Sequence, residues 1–229
     1  MFYSYSTIWI IIPAIILAFY AQSRVKANYN KYAKVRNATG MTGADVAREI
    51  LRRNGLSHVQ VVRGQGKLTD HYDPRSEAVT LSPQVFDQAS ISSASIAAHE
   101  CGHAVQHSVG YAPLNIRSAI VPATNIATKL SPFLVLGGLL LARSGGLILL
   151  NLGIIAYIMI TLFHVVTLPV EFNASHRAIE MLTEYGLVYE EDMVGTKKVL
   201  NAAALTYVAA MLSALLSTVR LIVLRNSRN

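Results

Sequence analysis

The chain has 229 residues, of which 52% are hydrophobic and only 14% are charged. This length corresponds to one or two domains, but the apolar residues occur in long blocks, which indicates an integral membrane protein. The formal net charge is +7, and much of the excess lies in residues 24–36 and in the C-terminal tail. These basic segments lack the aromatic side chains of a nucleic-acid surface beyond Tyr29 and Tyr32, so attraction to anionic lipid headgroups explains them and nucleic acid is excluded as a partner.

The first apolar block predicts an N-terminal transmembrane helix. Residues 1–23 contain no Lys, Arg, Asp or Glu, and residues 8–20 are almost continuously apolar. With its flanks, this block is long enough to span about 30 Å of hydrocarbon. A cleaved signal peptide is the alternative, but the basic n-region and a small-residue cleavage site are both missing. The basic residues 24–36, with no acid before Asp45, predict that this flank is cytoplasmic and that the N-terminus is outside.

A second apolar region, residues 130–170, predicts a transmembrane hairpin. It is interrupted by Arg143-Ser144-Gly145-Gly146, and residues 147–170 alone are long enough for one span. The part before the interruption is too short, so its helix must begin before Lys129, whose side chain could snorkel to the interface. We expect the turn at 143–146 to lie outside.

The C-terminal apolar segment, residues 201–219, is uncharged and rich in Ala and Ser. Small residues suit close helix packing in a membrane, which favours a further span. A crossing there would place Arg220, Arg225 and Arg228 outside, against the positive-inside bias. An Ala-rich helix packed on the protein is therefore the alternative.

The polar segment between the first span and the hairpin predicts a small α-β-β-α unit. Thr42 and Asp45 are a capping pair for a helix that runs through Arg53 and stops at Gly55. The remaining predicted elements are a strand at 58–62, an extended or loop segment at 68–73, a strand at 77–81 and a helix that starts at Ser82-Pro83. We expect the 77–81 strand to be an edge strand that holds an extended peptide substrate.

The run His99-Glu100-Cys101-Gly102-His103 matches the HExxH pattern of zinc peptidases. This pattern also occurs by chance in unrelated helices, but here a serine-rich, helix-forming stretch precedes it, which predicts a helix ending near Gly110. On a helix, His99 and His103 share one face and can bind one zinc ion. Glu100 can then act as the general base toward water at the metal. The lone Cys101 excludes an internal disulfide and is expected to pack in the core.

A catalytic zinc ion usually has three protein ligands, so a third must lie elsewhere. His107 continues the series, but it lies a further turn of about 5.4 Å along the helix, so we expect it to support the site or face the surface. Glu171, which follows an apolar run and is expected to open a new helix, is the better candidate. His176 is the alternative, whereas Glu180 and Glu184 resemble a solvated helix face.

A short polar segment before the motif offers donors for catalysis. His71 or Tyr72 could donate a hydrogen bond to the oxyanion of the tetrahedral intermediate. The alternative is that Asp70, His71 and Asp73 only cap a tight turn at Pro74.

Four segments together resemble one protein family. They are residues 42–55, the run Leu68-Thr69-Asp70-His71-Tyr72-Asp73-Pro74, residues 97–106 and residues 168–177. In this order, and with these apolar segments, they resemble the YugP-like family of bacterial membrane zinc metallopeptidases over essentially the whole chain. That family is similar in plan to the HtpX-type and CAAX-processing membrane proteases.

The resemblance implies His99, His103 and Glu171 as ligands of one Zn²⁺ per chain, with Glu100 as the base of a gluzincin-like endopeptidase. The wider group carries ExxxD after its hairpin, where the Asp orients a ligand histidine, but here Ser175 occupies that position. A hydroxyl can accept the imidazole N–H but adds less basicity. The candidates for outer partners of the ligands or for donors to the oxyanion are His71, Tyr72, His107, Ser175 and His176.

The expected fold is a mostly α integral membrane protein with transmembrane helices and a small α+β zincin-like catalytic domain that carries the HExxH helix. The expected divisions are 1–23, the N-terminal transmembrane helix; 24–128, the cytosolic-side catalytic part; 129–170, the transmembrane hairpin; 171–200, the third-ligand region; and 201–229, a C-terminal apolar helix with a basic tail.

The expected function is zinc-dependent endoproteolysis of membrane or unfolded proteins. The resemblance places it in the bacterial cytoplasmic membrane, with the lipid bilayer and a protein or peptide substrate as partners. The basic flank at 24–36 predicts that the active site is on the cytoplasmic side. A non-proteolytic zinc-binding adaptor or chaperone is the alternative, but a purely structural site needs no general base such as Glu100. A site-2 type intramembrane protease would require the motif inside a span, and residues 90–108 are too polar for that.

Overall fold

The computed structural model describes residues 7–141 and 145–227. After a short 3-10 turn at Ile8–Ile10, the elements in chain order are α1 (Ile12–Tyr32), α2 (Gly43–Arg53), β1 (Gln60–Arg63), β2 (His71–Asp73), β3 (Ala78–Leu81), α3 (Pro83–Asp87), α4 (Ile91–Ser108), α5 (Ala112–Leu140), α6 (Gly146–Glu184) and α7 (Glu190–Asn226).

The chain divides into two compact units. The helical unit contains Met1–Ala21, Asn115–Pro169 and Thr206–Asn229. The sheet unit contains Gln22–Leu114 and Val170–Leu205. All of the strands in the described residues, together with the HExxH residues and Glu171, belong to the sheet unit.

Four helices in the described residues are long and apolar enough to cross a membrane, namely the stretch Ile8–Tyr32 that contains α1, and α5, α6 and α7. Their packing within the helical unit is close. A Cβ added at Gly138 would lie 2.7 Å from the backbone nitrogen of Leu150, so α5 and α6 approach at backbone distance. Thr161 and Thr218 link α6 to α7 through their hydroxyls at 3.0 Å. Small residues and hydroxyl pairs of this kind hold helices together where lipid provides no hydrophobic driving force.

The predicted spans correspond to these helices with different limits. The helix before the hairpin turn begins at Ala112, well before Lys129, as predicted. Of the predicted turn at 143–146, residues 143 and 144 lie outside the described residues, and Gly146 opens α6. The C-terminal segment 201–219 is part of the continuous helix α7. Arg228, whose side of the membrane entered that prediction, also lies outside the described residues.

The prediction that Glu171 opens a new helix is wrong, because α6 runs without interruption from Gly146 to Glu184. Pro169 lies inside it. A proline removes a single backbone donor, and membrane helices tolerate that loss when the neighbouring hydrogen bonds of the helix remain. Glu171 therefore lies in the interior of a helix.

The sheet unit begins with the predicted capping box. The Thr42 hydroxyl accepts from the Asp45 backbone N–H, and an Asp45 carboxylate oxygen accepts from the Thr42 backbone N–H. This reciprocal pair satisfies N–H groups that would otherwise lack partners at the start of α2. The apolar face of α2 then packs in the main core, where Val46, Ala47 and Ile50 are fully buried.

The sheet has three strands in the order β1-β3-β2. β1 and β3 pair in parallel, with Val61 opposite Val79. β2 pairs with β3 in the antiparallel direction, with Tyr72 on the other side of Val79. The segment 68–73 thus supplies a third strand that its polar sequence did not predict.

The expectation that the 77–81 strand is an edge is wrong, because β3 is the central strand and both of its sides are paired. Its backbone groups are used within the sheet, and three of its four residues are buried. The strand also starts one residue later than predicted, because Glu77 has a left-handed φ of 47°. β3 therefore cannot receive a substrate strand.

Candidate metal centre

Helix α4 carries the HExxH run. Its N-cap is Ser90, whose hydroxyl accepts from the Ser93 backbone N–H at 3.1 Å. The helix ends at Ser108, and Gly110 follows with a φ of 63°, a left-handed conformation that glycine adopts without steric cost. His99 and His103 are therefore one turn apart in the middle of a well-capped helix, as the sequence predicted.

One face of α4 belongs to the hydrophobic core. Ala94, Ala97, Ala98 and Cys101 are fully buried in the main cluster of the sheet unit. The Cys101 thiol is oriented toward the Ala47 carbonyl, with Sγ 3.6 Å from that oxygen, and burial raises the pKa of the thiol. Cys101 is a packing residue here, because a thiol held in its neutral form in the core is neither a metal ligand nor a nucleophile.

Gly102 brings the opposite face of α4 against α6. A Cβ at this position would lie 2.7 Å from the Ala174 carbonyl oxygen and 3.2 Å from its Cα. Only glycine permits this backbone-to-backbone approach. Because Glu171 lies about one turn before Ala174 on α6, the close approach places its carboxylate beside the two histidines.

The three predicted ligands converge at this contact. Glu171 Oε2 lies 3.3 Å from His99 Nε2 and 3.5 Å from His103 Nε2. The two imidazole rings meet edge to face with their centroids 4.8 Å apart. Glu171 is 2% exposed and His99 is 9% exposed, so the group is shielded from solvent.

This donor set fits a zinc ion. Two imidazole nitrogens and one carboxylate oxygen are typical ligands of catalytic zinc, at about 2.0–2.2 Å from the metal. Tetrahedral ligands at that radius are about 3.4 Å apart, which matches the two distances to Glu171 Oε2. Among the described residues, His99, His103 and Glu171 are the only His, Cys, Asp or Glu group whose donor atoms lie close enough to hold a metal.

The outer nitrogens of both histidines also have partners. His99 Nδ1 lies 3.2 Å from Ser175 Oγ, and His103 Nδ1 lies 3.0 Å from Gln106 Oε1. If each Nδ1 carries the proton, each Nε2 offers its lone pair to the metal. Ser175 thus contacts the histidine that the Asp of the ExxxD pattern is expected to orient in the HtpX-type and CAAX-processing proteases.

Sequence reasoning missed Gln106, although it is fully buried and contacts the candidate ligand His103. The available signal was its spacing, since a residue three after His103 on a helix lies on the same face. A buried glutamine there must satisfy its amide, and a ligand imidazole is a suitable partner.

Charge near His103 offsets its burial. Burial alone would lower the pKa of His103, but its close contact with Glu171 and the negative charges of Glu100 and Glu171 raise it above its usual range. Glu100 is 9% exposed and therefore lies largely inside the protein, next to His99 in the chain. Its negative charge therefore acts on His103.

The other candidate residues lie outside the three-residue group. His107 Nδ1 is 2.9 Å from the Tyr72 hydroxyl, which connects α4 to β2. His71 donates from Nδ1 to the Thr69 carbonyl at 2.8 Å, and its side chain is exposed. His176 Nε2 pairs with Glu180 Oε1 at 3.1 Å on an exposed face of α6. None of these side chains reaches the cluster that the two motif histidines form with the carboxylate of α6.

Asp70 and Asp73, in the polar segment before the motif, form hydrogen bonds that hold the local backbone. Asp70 accepts from the backbone N–H and the hydroxyl of Ser82 at 2.7 and 3.0 Å, and burial raises the pKa of Asp70. Asp73 accepts from the Arg75 N–H and the Ser76 hydroxyl, each at 3.0 Å. Asp73 therefore caps the turn at Pro74, as the capping alternative predicted, whereas Asp70 instead holds Ser82 at the end of β3.

Comparison with known proteins agrees with this centre. A family described as "Putative neutral zinc metallopeptidase" matches residues 7–226. The chain is 46% identical over 217 residues to the "Putative membrane protease YugP" of Bacillus subtilis (strain 168), and the alignment covers 95% of each chain. No solved structure was found to match the chain. With nearly its whole length matched, the chain belongs to this neutral zinc metallopeptidase family.

Proposed function

We propose that this protein is a membrane-embedded, zinc-dependent endopeptidase that cleaves membrane or unfolded proteins. The observation that carries the proposal is the buried convergence of two imidazole Nε2 atoms and the Glu171 carboxylate oxygen at 3.3 and 3.5 Å. A histidine pair with a glutamate is the ligand set of several zinc peptidases. The family description supports the same activity.

In this proposal, His99, His103 and Glu171 hold one zinc ion. When bound, the ion supplies Lewis acidity, which lowers the pKa of water toward neutrality and polarises the scissile carbonyl. Glu100 takes a proton from the attacking water and delivers it to the nitrogen of the leaving amine, so the same carboxylate takes up and returns the proton. Its location between the two ligand histidines on α4 and its partial shielding from solvent suit this role.

Tyr72 is the proposed donor to the oxyanion that forms on the substrate. It lies on β2, and its hydroxyl is 2.9 Å from His107, one turn beyond His103 on α4. A hydroxyl held in this way can donate to a developing negative charge, whereas the Nδ1 of His71 already donates to a backbone carbonyl. His107 then acts by positioning the tyrosine.

We propose that the site faces the cytoplasm. The basic residues 24–36 support this side under the positive-inside rule. Single cysteines at residues 36, 110 and 185 should react with a membrane-impermeant thiol reagent from the cytoplasmic side, and one at position 144 should react from the opposite side. The native Cys101 is fully buried, so it provides little background. Labelling of positions 144 and 110 from the same side would contradict the hairpin.

The decisive experiment is Glu100→Gln with zinc content and proteolysis measured together in detergent. The amide keeps the shape of the side chain but cannot take a proton, so we expect about one zinc per chain and a loss of at least roughly 10²- to 10⁴-fold in cleavage of an unfolded protein. Glu190→Gln, on the exposed first turn of α7, is the matched control and should retain full activity.

Cleavage by the Glu100→Gln protein within tenfold of the unmodified protein would contradict the proposed base. An unmodified protein that binds zinc but cleaves no unfolded or membrane protein would favour the zinc-binding adaptor instead.

A further inference from the structure

Gln106 is enclosed by partners that leave its amide one orientation. Its Nε2 donates to the Val170 carbonyl at 2.8 Å and to Asn173 Oδ1 at 3.0 Å. Its Oε1 faces His103 Nδ1 at 3.0 Å. A backbone carbonyl can only accept hydrogen bonds, so the –NH₂ group must face Val170 and the oxygen must face the histidine.

This orientation selects one tautomer of His103. Because Gln106 presents only an acceptor, the Nδ1 of His103 must carry the proton. The Nε2 then has a free lone pair directed to the same side as Glu171 Oε2, 3.5 Å away. A ligand imidazole needs that lone pair to bind a metal.

The network continues one residue further, to a charged side chain. Asn173 Oδ1, which accepts from Gln106, also accepts from Arg177 Nε at 2.8 Å. A guanidinium group has donors and no acceptor, so it requires the oxygen of Asn173 and not the amide nitrogen. Asn173 and Arg177 are four residues apart on α6, where such pairs face each other.

We propose that Arg177 is a positioning residue of the zinc site, which acts through Asn173 and Gln106 to hold His103 in its metal-binding tautomer. The proposal rests on the proposed zinc binding. Arg177 and Gln106 both donate to Asn173 Oδ1, and His103 donates to Gln106 Oε1, so the donor-only guanidinium leaves each amide one orientation. The outer nitrogen of His99 instead contacts the Ser175 hydroxyl, which can either donate or accept.

Removal of Arg177 should loosen the network without destroying it. The Asn173 amide would become free to turn its nitrogen toward Gln106, where two –NH₂ groups would then face each other. The bond from Gln106 to the Val170 carbonyl would remain and would still favour the metal-binding tautomer. We therefore expect Arg177→Met to weaken zinc binding by about tenfold, the lower end of the range for outer partners of metal ligands.

The test compares Arg177→Met with Arg177→Lys in the full-length protein in detergent. Lysine also has donors only, so it should retain affinity close to that of the unmodified protein. Arg52→Met removes a surface arginine that pairs with Glu49, and it should leave zinc affinity unchanged. Zinc affinity is measured by competition with a chelator.

A second readout needs no zinc. In a metal-free Glu171→Ala background at about pH 9, where imidazoles are neutral and no carboxylate can accept from His103 Nε2, ¹⁵N spectra of labelled histidines distinguish the two tautomers. In that background His103 should carry its proton on Nδ1 when Arg177 is present or replaced by Lys, and it should show a mixture with Arg177→Met. The His103 signals are assigned from their absence in His103→Ala.

Two results would overturn the proposal. One is an Arg177→Met protein with unchanged zinc affinity and an unchanged His103 tautomer. The other is Arg177→Lys weakened as much as Arg177→Met, which would mean that Arg177 only fills space. If the unmodified protein bound no zinc, the proposed function would fail, and the tautomer comparison would still decide the role of Arg177.

Discussion

The surroundings of His99 and His103 differ although the two residues meet the same carboxylate oxygen. The outer nitrogen of His99 contacts a single hydroxyl, that of Ser175. The outer nitrogen of His103 contacts a fully buried amide, that of Gln106, whose other bonds are all assigned. A hydroxyl can rotate and serves either tautomer, whereas a locked amide serves only one. The comparison indicates that the ring of His103 is preorganised more strongly than that of His99.

The difference follows from where each partner lies in the chain. Ser175 lies four residues after Glu171 on α6, so His99 depends on α6 for both of its contacts. Gln106 lies three residues after His103 on α4 and bonds across to the Val170 carbonyl. His103 is therefore connected to α6 through its own helix as well as through the carboxylate.

The largest effect should come from Glu171→Ala, which removes the contact that the two histidines share. Two neutral ligands remain, so we expect zinc content to fall to roughly a tenth of stoichiometric or less after dialysis. Metal analysis of the purified protein checks this. His107→Ala and His176→Ala are the matched controls and should retain zinc, because neither side chain reaches the cluster. The opposite ranking would move the third ligand to a histidine.

Gly102→Ala should come next, because it separates the helices that bring the ligands together. The added methyl would lie 2.7 Å from the Ala174 carbonyl oxygen, so α4 and α6 must move apart at a cost of about 1–3 kcal/mol in the free energy of unfolding. Glu171 moves away from both histidines, and zinc affinity and thermal stability should both fall. Gly137→Ala, whose methyl would meet only the end of the Leu149 side chain at 3.1 Å, should change neither. Unchanged zinc affinity in Gly102→Ala would contradict the role of this close contact.

The smallest expected effect is the difference in zinc affinity between variants that change the outer partner of His103 and of His99. Gln106→Met should weaken zinc binding by about 10- to 100-fold, because it leaves His103 without an outer acceptor and the Val170 carbonyl without that donor. Ser175→Ala should cost less than about tenfold, since a hydroxyl contributes little basicity to its partner. Chelator competition measures both affinities. Equal losses would mean that the two ligands are held equally firmly.

Local sequence determined the elements that depend on neighbouring residues. The capping box at Thr42, the motif helix and the helix before the hairpin all follow from backbone donors, helix caps and apolar length. The spacing of His99 and His103 also follows from the helix period alone. These features were predicted because each involves residues within a few turns of each other.

Tertiary structure decided the features that depend on distant residues. β3 is central because a short polar segment, His71–Asp73, pairs with its second side, and no periodic pattern marks so short a strand. Glu171 reaches the histidines because α6 continues through Pro169 and because Gly102 permits contact with Ala174. Gln106 orients His103 only because its amide donates to Val170 and Asn173, which are 64 and 67 residues away in the chain. Long-range hydrogen bonds and close packing of this kind have no signature in a local stretch of sequence, since each partner satisfies the other only after the chain has folded.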